Sequence, residues 1–257
     1  MSVTIFLGDS HSHGWYDKDN RTYSWQDNNY AEIFANKNKM PVVIYSMPAA
    51  SNKKFPIWLK VLFDRYTDIK QVFVQSTYWH RWMLGEVLDN ERVECEIDNF
   101  TQCISNDNLI HRYTDIEKSN GLKEVGIQIP LKISKKLFSS KIDPDHSPYF
   151  VVKAIHELCT HLQYREYCMD LFVIDSICKQ RNVPCTVWRI NDKCLLPKNL
   201  NLFGELSIKF APLSADMYFK QKNIIMNDFK LDEEHYNKEM HEMIAADYIQ
   251  WLINLSS

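Results

Sequence analysis

Four short runs of β-branched and aromatic residues set the strongest limit on the fold: residues 3–7, Pro41 to Tyr45, Gln71 to Gln75 and Cys185 to Ile190. Each is nearly continuous in apolar character, which suits a strand covered on both faces. Helix-length segments lie between them. Strands of this kind, alternating with helices, predict a three-layer α/β/α sandwich with a central parallel sheet. Asn29 to Asn36 provides a first crossover helix and Phe55 to Tyr66 a second, each returning the chain to a parallel strand through a right-handed connection.

A long helix should begin near Ser147-Pro148, because serine caps well and a first-turn proline loses nothing by lacking its N–H. Val151, Ile155, Leu158, Leu162, Leu171, Ile174 and Cys178 then recur at roughly helical spacing, and the pattern stops before Asn182-Val183-Pro184. A last helix is expected from about Tyr236 to Leu255, with Met240, Met243, Ile244, Tyr248, Trp251, Leu252 and Leu255 on its buried side. Residues 86–146 break the strand–helix rhythm and read as an insertion after the third strand, above the carboxyl ends of the strands. A strand pair within it falls at 125–129 and 131–133. Residues 191–230 read as a second irregular stretch. No Pro/Gly/Ser-rich or charged linker divides the 257 residues, so a single domain over 1–257 is expected.

Composition removes several classes of function. With 45% hydrophobic and 13% aromatic residues the chain is no disordered tail, and a net charge of −3 without a basic stripe gives no reason to expect nucleic acid as a partner. No stretch approaches membrane-spanning length and the first residues do not read as a signal peptide, which predicts no membrane partner and a cytosolic compartment; virion association and leaderless export fit the same residues. The 7 cysteines are odd in number and lack Cys-x-x-Cys spacing, so neither a disulfide framework nor a zinc ribbon is favoured.

The chemistry concentrates at the two ends. Gly8-Asp9-Ser10 follows the first apolar run, and Asp232-Glu233-Glu234-His235 precedes the last helix. A hydroxyl attacks near neutral pH only when a base takes its proton and a third group orients that base. Ser10 is the candidate nucleophile, His235 the base and Asp232 the orienting acid. Ser10 should sit at the carboxyl edge of the sheet, opening a turn into a helix with its own N–H facing the reacting centre. Taken alone, the Gly-Asp-Ser tripeptide reads equally as a turn capped by Asp9 or Ser10, and Asp-x-x-His as a capping Asp beside an exposed His.

On these two motifs the chain resembles the SGNH (GDSL-type) hydrolases, whose first motif carries the nucleophile in Gly-Asp-Ser and whose last is Asp-x-x-His ahead of a terminal helix. The resemblance implies a flavodoxin-like SGNH fold and hydrolysis of a carboxylic ester through an acyl-enzyme. It also implies an oxyanion hole made by the Ser10 N–H, a glycine N–H from a second motif and an asparagine side chain from a third. Pro48-Ala49-Ala50-Ser51-Asn52 matches the second motif with Ala49 at the glycine position, and Gln75-Ser76-Thr77 matches the third with Thr77 at the asparagine position. The oxyanion hole is therefore expected from Ser10, Ala49 and Thr77, with Asn52 and Gln75 as other donors. Loss of one such donor commonly costs about 3 kcal/mol. A catalytically impaired binding module and an O-acyltransferase are thus the alternatives to an esterase.

Asp9, His11, Asn52, Trp79 and Arg81 are the candidate substrate contacts. Trp79 suits stacking on a sugar or acyl group and Arg81 a carboxylate, while packing under the insertion suits the same tract equally well; among small-molecule and carbohydrate esters, the aromatic residues near a polar edge mildly favour an acylated sugar, such as one carrying an O-acetyl group. No cofactor and no metal is expected. Asp143-Pro144-Asp145-His146 repeats the Asp-x-x-His spacing, but a further strand and helix follow it. His156 and His161 are five apart, about 140° around a helix, and do not share the face that one zinc ion needs. His11-x-His13 lacks an acidic or thiol partner at a known ligand spacing.

Overall fold

A computed structural model describes residues 2–13, 15–17, 22–24, 29–46, 52–77, 101–104, 109–114, 147–192, 206–230 and 235–256. Nine strands are present among these residues: β1 Val3–Gly8, β2 Trp15–Asp17, β3 Thr22–Ser24, β4 Val42–Ser46, β5 Ile69–Ser76, β6 Thr101–Ile104, β7 Ile110–Thr114, β8 Cys185–Arg189 and β9 Lys209–Phe210. β2 and β3 form a small antiparallel pair. The other seven form one sheet in the order β6-β7-β4-β1-β5-β8-β9. Its six strands from β7 to β9 are parallel, and β6 alone runs antiparallel at the edge. The run β4-β1-β5-β8-β9 has the 2-1-3-4-5 order of a doubly wound, flavodoxin-like sheet, whose ligand crevice opens outside the strand ends where the order reverses, here between β1 and β5.

Helices cover both faces: α1 Ser10–His13, α2 Tyr30–Asn38, α3 Lys54–Arg65, α4 Ser147–Gln180 and α5 Ala215–Gln221, then α6 Lys238–Met243, a π-helical turn Ile244–Ile249 and α7 Gln250–Ser256 as one continuous stretch. Local chemistry explains several boundaries. The Asn29 side chain accepts from the N–H groups of Ala31 and Glu32 at the start of α2, and Lys39 ends that helix in the left-handed conformation. Asn182, also left-handed, stops α4 just before Pro184.

Side chains alternate along β1. Val3, Ile5 and Leu7 join Val43, Tyr45, Val72, Val74 and Val187 under α3 and α4, where Phe55, Trp58, Leu62, Leu171 and Ile174 complete the cluster. Phe6, Ile44, Phe73 and Trp188 face the other way, against Tyr30, Phe34, Met240, Ile244 and Tyr248 of α2 and the last helix. Burying each of these large side chains stabilises the fold by about 1.5–3 kcal/mol before chain entropy is subtracted.

Three expectations change. Leu255 is 49% exposed, because the π-helical turn shifts the phase of the apolar stripe carried through it. Residues 191–230 are not wholly irregular: they hold β9, α5 and a 3-10 turn at Met226–Phe229, all too short to register as periodicity. The insertion does more than overhang the strand ends, since β6 and β7 extend the sheet beyond β4 and cover what would be its open edge. Arg112 of β7 is tied to Glu32 of α2 by a buried ion pair of 2.5 Å. The proposed strand pair at 125–129 and 131–133 lies outside the described residues.

Candidate functional site

The turn from β1 into α1 has no spare room. A side chain on Gly8 would collide with Ser12 Oγ, so the first position of Gly-Asp-Ser must be glycine for the chain to turn here. Asp9 is buried and caps α1: its Oδ1 accepts the His11 N–H at 3.1 Å, while its carbonyl accepts the Ser12 N–H at 3.0 Å. Ser10 is the first residue of α1, directly beyond the carboxyl end of the central strand.

β5 holds this turn from the side. Gln75 Nε2 donates to Asp9 Oδ1 at 2.9 Å, and Gln75 Oε1 accepts from Ser12 Oγ at 2.6 Å and from the Tyr30 hydroxyl at 3.2 Å. The Ser12 and Tyr30 hydroxyls are 2.5 Å apart. Burial, more than any neighbouring charge, pushes the Tyr30 phenol well above its usual range, so it stays a proton donor. Gln75, one of the other oxyanion donors read from the sequence, thus has both ends of its amide engaged with the turn, through one of its two N–H groups and its oxygen.

Two residues on, the Asn52 amide and the Thr77 backbone bind each other reciprocally. Asn52 Nδ2 donates to the Thr77 carbonyl at 3.1 Å, and the Thr77 N–H donates to Asn52 Oδ1 at 3.0 Å. This clamps the segment after β4 to the end of β5. It leaves the Thr77 hydroxyl buried with no hydrogen-bond partner among the described residues, a state that normally calls for a ligand or water. Beneath it the Ser76 hydroxyl meets that of Tyr167 at 2.6 Å.

The carboxyl-terminal segment reaches the same place. His235 is buried, with its ring 5.6 Å from that of His11, and Tyr236 lies at the same distance on another side of His11. His235 precedes the last helix as expected, but that helix starts later than Tyr236: Asn237 caps α6 through the Met240 N–H, and Tyr236 is bridged to Lys230. His241, on the first turns of the last helix, stacks on Tyr30 with ring centroids 6.1 Å apart. Burial, and after it the proximity of His11 and His235, pushes its imidazole down to about 3, so it is neutral at ordinary pH.

Of the candidates read from the sequence, His11 and His235 are thus brought together beside the Ser10 backbone, and Asn52 and Thr77 against each other. Ala49, Trp79, Arg81 and Asp232 lie outside the described residues, as does the alternative pair Asp143 and His146. Ser12, Tyr30 and His241 were not singled out from sequence. Ser12 has a visible signal only in hindsight of the tight turn, and Tyr30 and His241 read as ordinary members of helix faces. Among the described residues no group of three or more His, Cys, Asp or Glu could hold a metal ion, and no helix is long and apolar enough to cross a membrane. Compared with known proteins, the chain matches no family model, and no curated protein shows significant sequence similarity to it.

Proposed function

We propose that the chain is an SGNH-type serine esterase that hydrolyses a carboxylic ester, with an O-acetylated carbohydrate as the leading substrate class. The observation that carries this reading is the packing of His235 against His11, one residue after Ser10, at the crevice between the carboxyl ends of β1 and β5. In the reaction His235 takes the proton of Ser10 as the hydroxyl attacks the ester carbonyl, and Asp232 fixes the imidazole tautomer. The N–H groups of Ser10 and Ala49 and the Thr77 hydroxyl hold the oxyanion. Water then releases the acid by the reverse proton path. Neither metal nor organic cofactor enters this chemistry, and the cytosol is its working compartment.

The test is trapping with a fluorophosphonate followed by peptide mapping, together with turnover of p-nitrophenyl acetate. The probe should modify Ser10, and Ser10→Ala and His235→Ala should each lower turnover by about 10⁴-fold or more. Unchanged turnover in either variant removes that residue from the mechanism.

One observation favours a second reading. Because Asn52 and the Thr77 backbone satisfy each other, the third motif offers the oxyanion a single hydroxyl, which suits a binding module with little turnover. Ser10→Ala separates the two: an esterase loses hydrolysis and keeps its ligand, whereas a binding module changes little. An acyltransferase instead diverts the acyl group to an added alcohol acceptor in place of water.

A further inference from the structure

The polar groups beneath α1 form a chain whose direction follows from counting protons. Ser12 Oγ carries one proton, and Gln75 Oε1 can only accept, so the 2.6 Å contact between them uses that proton. Tyr30 also carries one proton and faces both Ser12 Oγ at 2.5 Å and Gln75 Oε1 at 3.2 Å; with the Ser12 proton spent on Gln75, the short contact takes the Tyr30 proton and the 3.2 Å contact is the weaker arm of the same bond. Gln75 Nε2 continues the series onto Asp9 Oδ1, where the His11 N–H also ends. The series runs Tyr30 to Ser12 to Gln75, then from the same amide to Asp9, and it brackets Ser10 on both sides. Every member is buried, so each link is made in a medium where hydrogen bonds polarise one another and unmade ones are costly.

Tyr30 also reaches the other half of the site, as His11 does through its ring contacts with His235 and Tyr236. The Tyr30 ring stacks on His241, four residues beyond Asn237 and in the helix that follows His235, while its edges meet Phe6 and Trp188. The apolar contacts need only a benzene ring. The hydroxyl is what joins the ring to the turn.

We propose that Tyr30 is a positioning residue for the proposed nucleophile: its hydroxyl locks the Asp9–Ser12 turn through Ser12 and Gln75, while its ring docks the helix behind His235, so that one side chain sets the separation of Ser10 and its base. This rests on the esterase reading, but its structural half can be measured without turnover. Tyr30→Phe keeps the ring contacts and deletes the first donor of the series.

The experiment pairs Tyr30→Phe with Ser12→Ala and the double variant, reading p-nitrophenyl acetate kinetics and, separately, amide hydrogen exchange of the peptide spanning residues 9–13. Tyr30→Phe should lower kcat about 10-fold or more with KM within about two-fold, as expected of lost alignment rather than lost binding. The double variant should lose little beyond the worse single one, because both cut the same series. Exchange over residues 9–13 should quicken while that of α3 does not. An unchanged kcat in Tyr30→Phe, or fully additive losses, overturns the positioning role. If the wild-type protein neither turns over the ester nor takes the fluorophosphonate, the esterase reading fails instead. The exchange measurement then decides for the clamp itself, which unchanged exchange in Tyr30→Phe would overturn.

Discussion

The two faces of the sheet are built from the same strands yet packed by different chemistry. Under α3 and α4 the core is apolar at its centre, with Tyr45 stacked on Trp58 at 4.2 Å and leucines and isoleucines filling between the helices. It holds buried polar contacts too, between Ser76 and Tyr167 and between Asp175 and the Ser207 backbone, but each stays local. Under α2 and the last helix the polar groups run into the interior: the Tyr30, Ser12, Gln75 series, the Glu32–Arg112 ion pair and the neutral imidazole of His241. An apolar core tolerates small shifts, whereas buried polar groups must meet their partners at fixed geometry or cost more than they contribute. The contrast assigns support to one face and alignment to the other.

The largest effect that tests this division lies at Glu32. Glu32 has no solvent contact, and its carboxylate faces Arg112 on β7, the strand next to the sheet edge. Glu32→Ala takes the Glu32 carboxylate away from the buried Arg112 guanidinium, and should lower unfolding stability in urea by about 3–5 kcal/mol. Replacing both partners with apolar residues of similar size, Glu32→Leu with Arg112→Met, should recover most of the loss. If the double replacement is as unstable as the single one, the pair contributes more than mutual neutralisation, and the face demands these two side chains themselves.

Thr77 sharpens the comparison from the other direction, because function and stability should separate there. Thr77→Val preserves shape and removes a buried hydroxyl that has no hydrogen-bond partner among the described residues. Stability should stay level or rise, since no bond is lost and a desolvated polar group disappears. Turnover should fall by about 10²–10³ if that hydroxyl holds the oxyanion. Thermal melts and ester kinetics on the same sample decide it: a destabilised variant with unchanged kcat would make Thr77 a structural residue.

Much of the fold was legible because it rests on repeated local signals. The four buried strands, the crossover helices and the long helix ending near Asn182 all fall close to their expected places, since apolar runs, caps and Pro/Asn stops act over a few residues. β9 was missed because two residues carry no period, and β6 and β7 because edge pairing depends on β4 and on the Glu32–Arg112 contact, both distant in sequence. At the site, the expectation that His235 lies near the α1 turn came from the two end motifs and their resemblance, and His235 packs against His11 of that turn. Gln75 was read as a donor to substrate, and nothing in Gln75-Ser76-Thr77 announces that Asp9, Ser12 and Tyr30 would consume it. Residue type shows what a side chain can donate; only packing shows to whom.

Acid should separate the faces most gently, in two pH windows. An unfolded histidine takes up a proton near 6.5, whereas buried His241 resists doing so until about 3. Below pH 6.5 the unfolded state therefore gains protons that the folded state does not, and stability declines as pH falls toward 3, with a slope that approaches about 1.4 kcal/mol per pH unit. His241→Phe keeps a ring on Tyr30 and should flatten that limb. On the opposite face, burial alone would raise the Asp175 carboxyl, but the bonds from Lys179, Ser207 and Ile208 together outweigh it and hold it below the usual carboxylate range. Its contribution is complete above the ordinary carboxylate value of 3.8 and is lost only as pH falls below that, through the still lower folded value. Urea titrations across this range should thus show a mid-acid slope that His241→Phe removes and a deeper one that Asp175→Asn removes. If His241→Phe leaves the mid-acid slope in place, the neutral imidazole is not what makes the α2 face sensitive to acid.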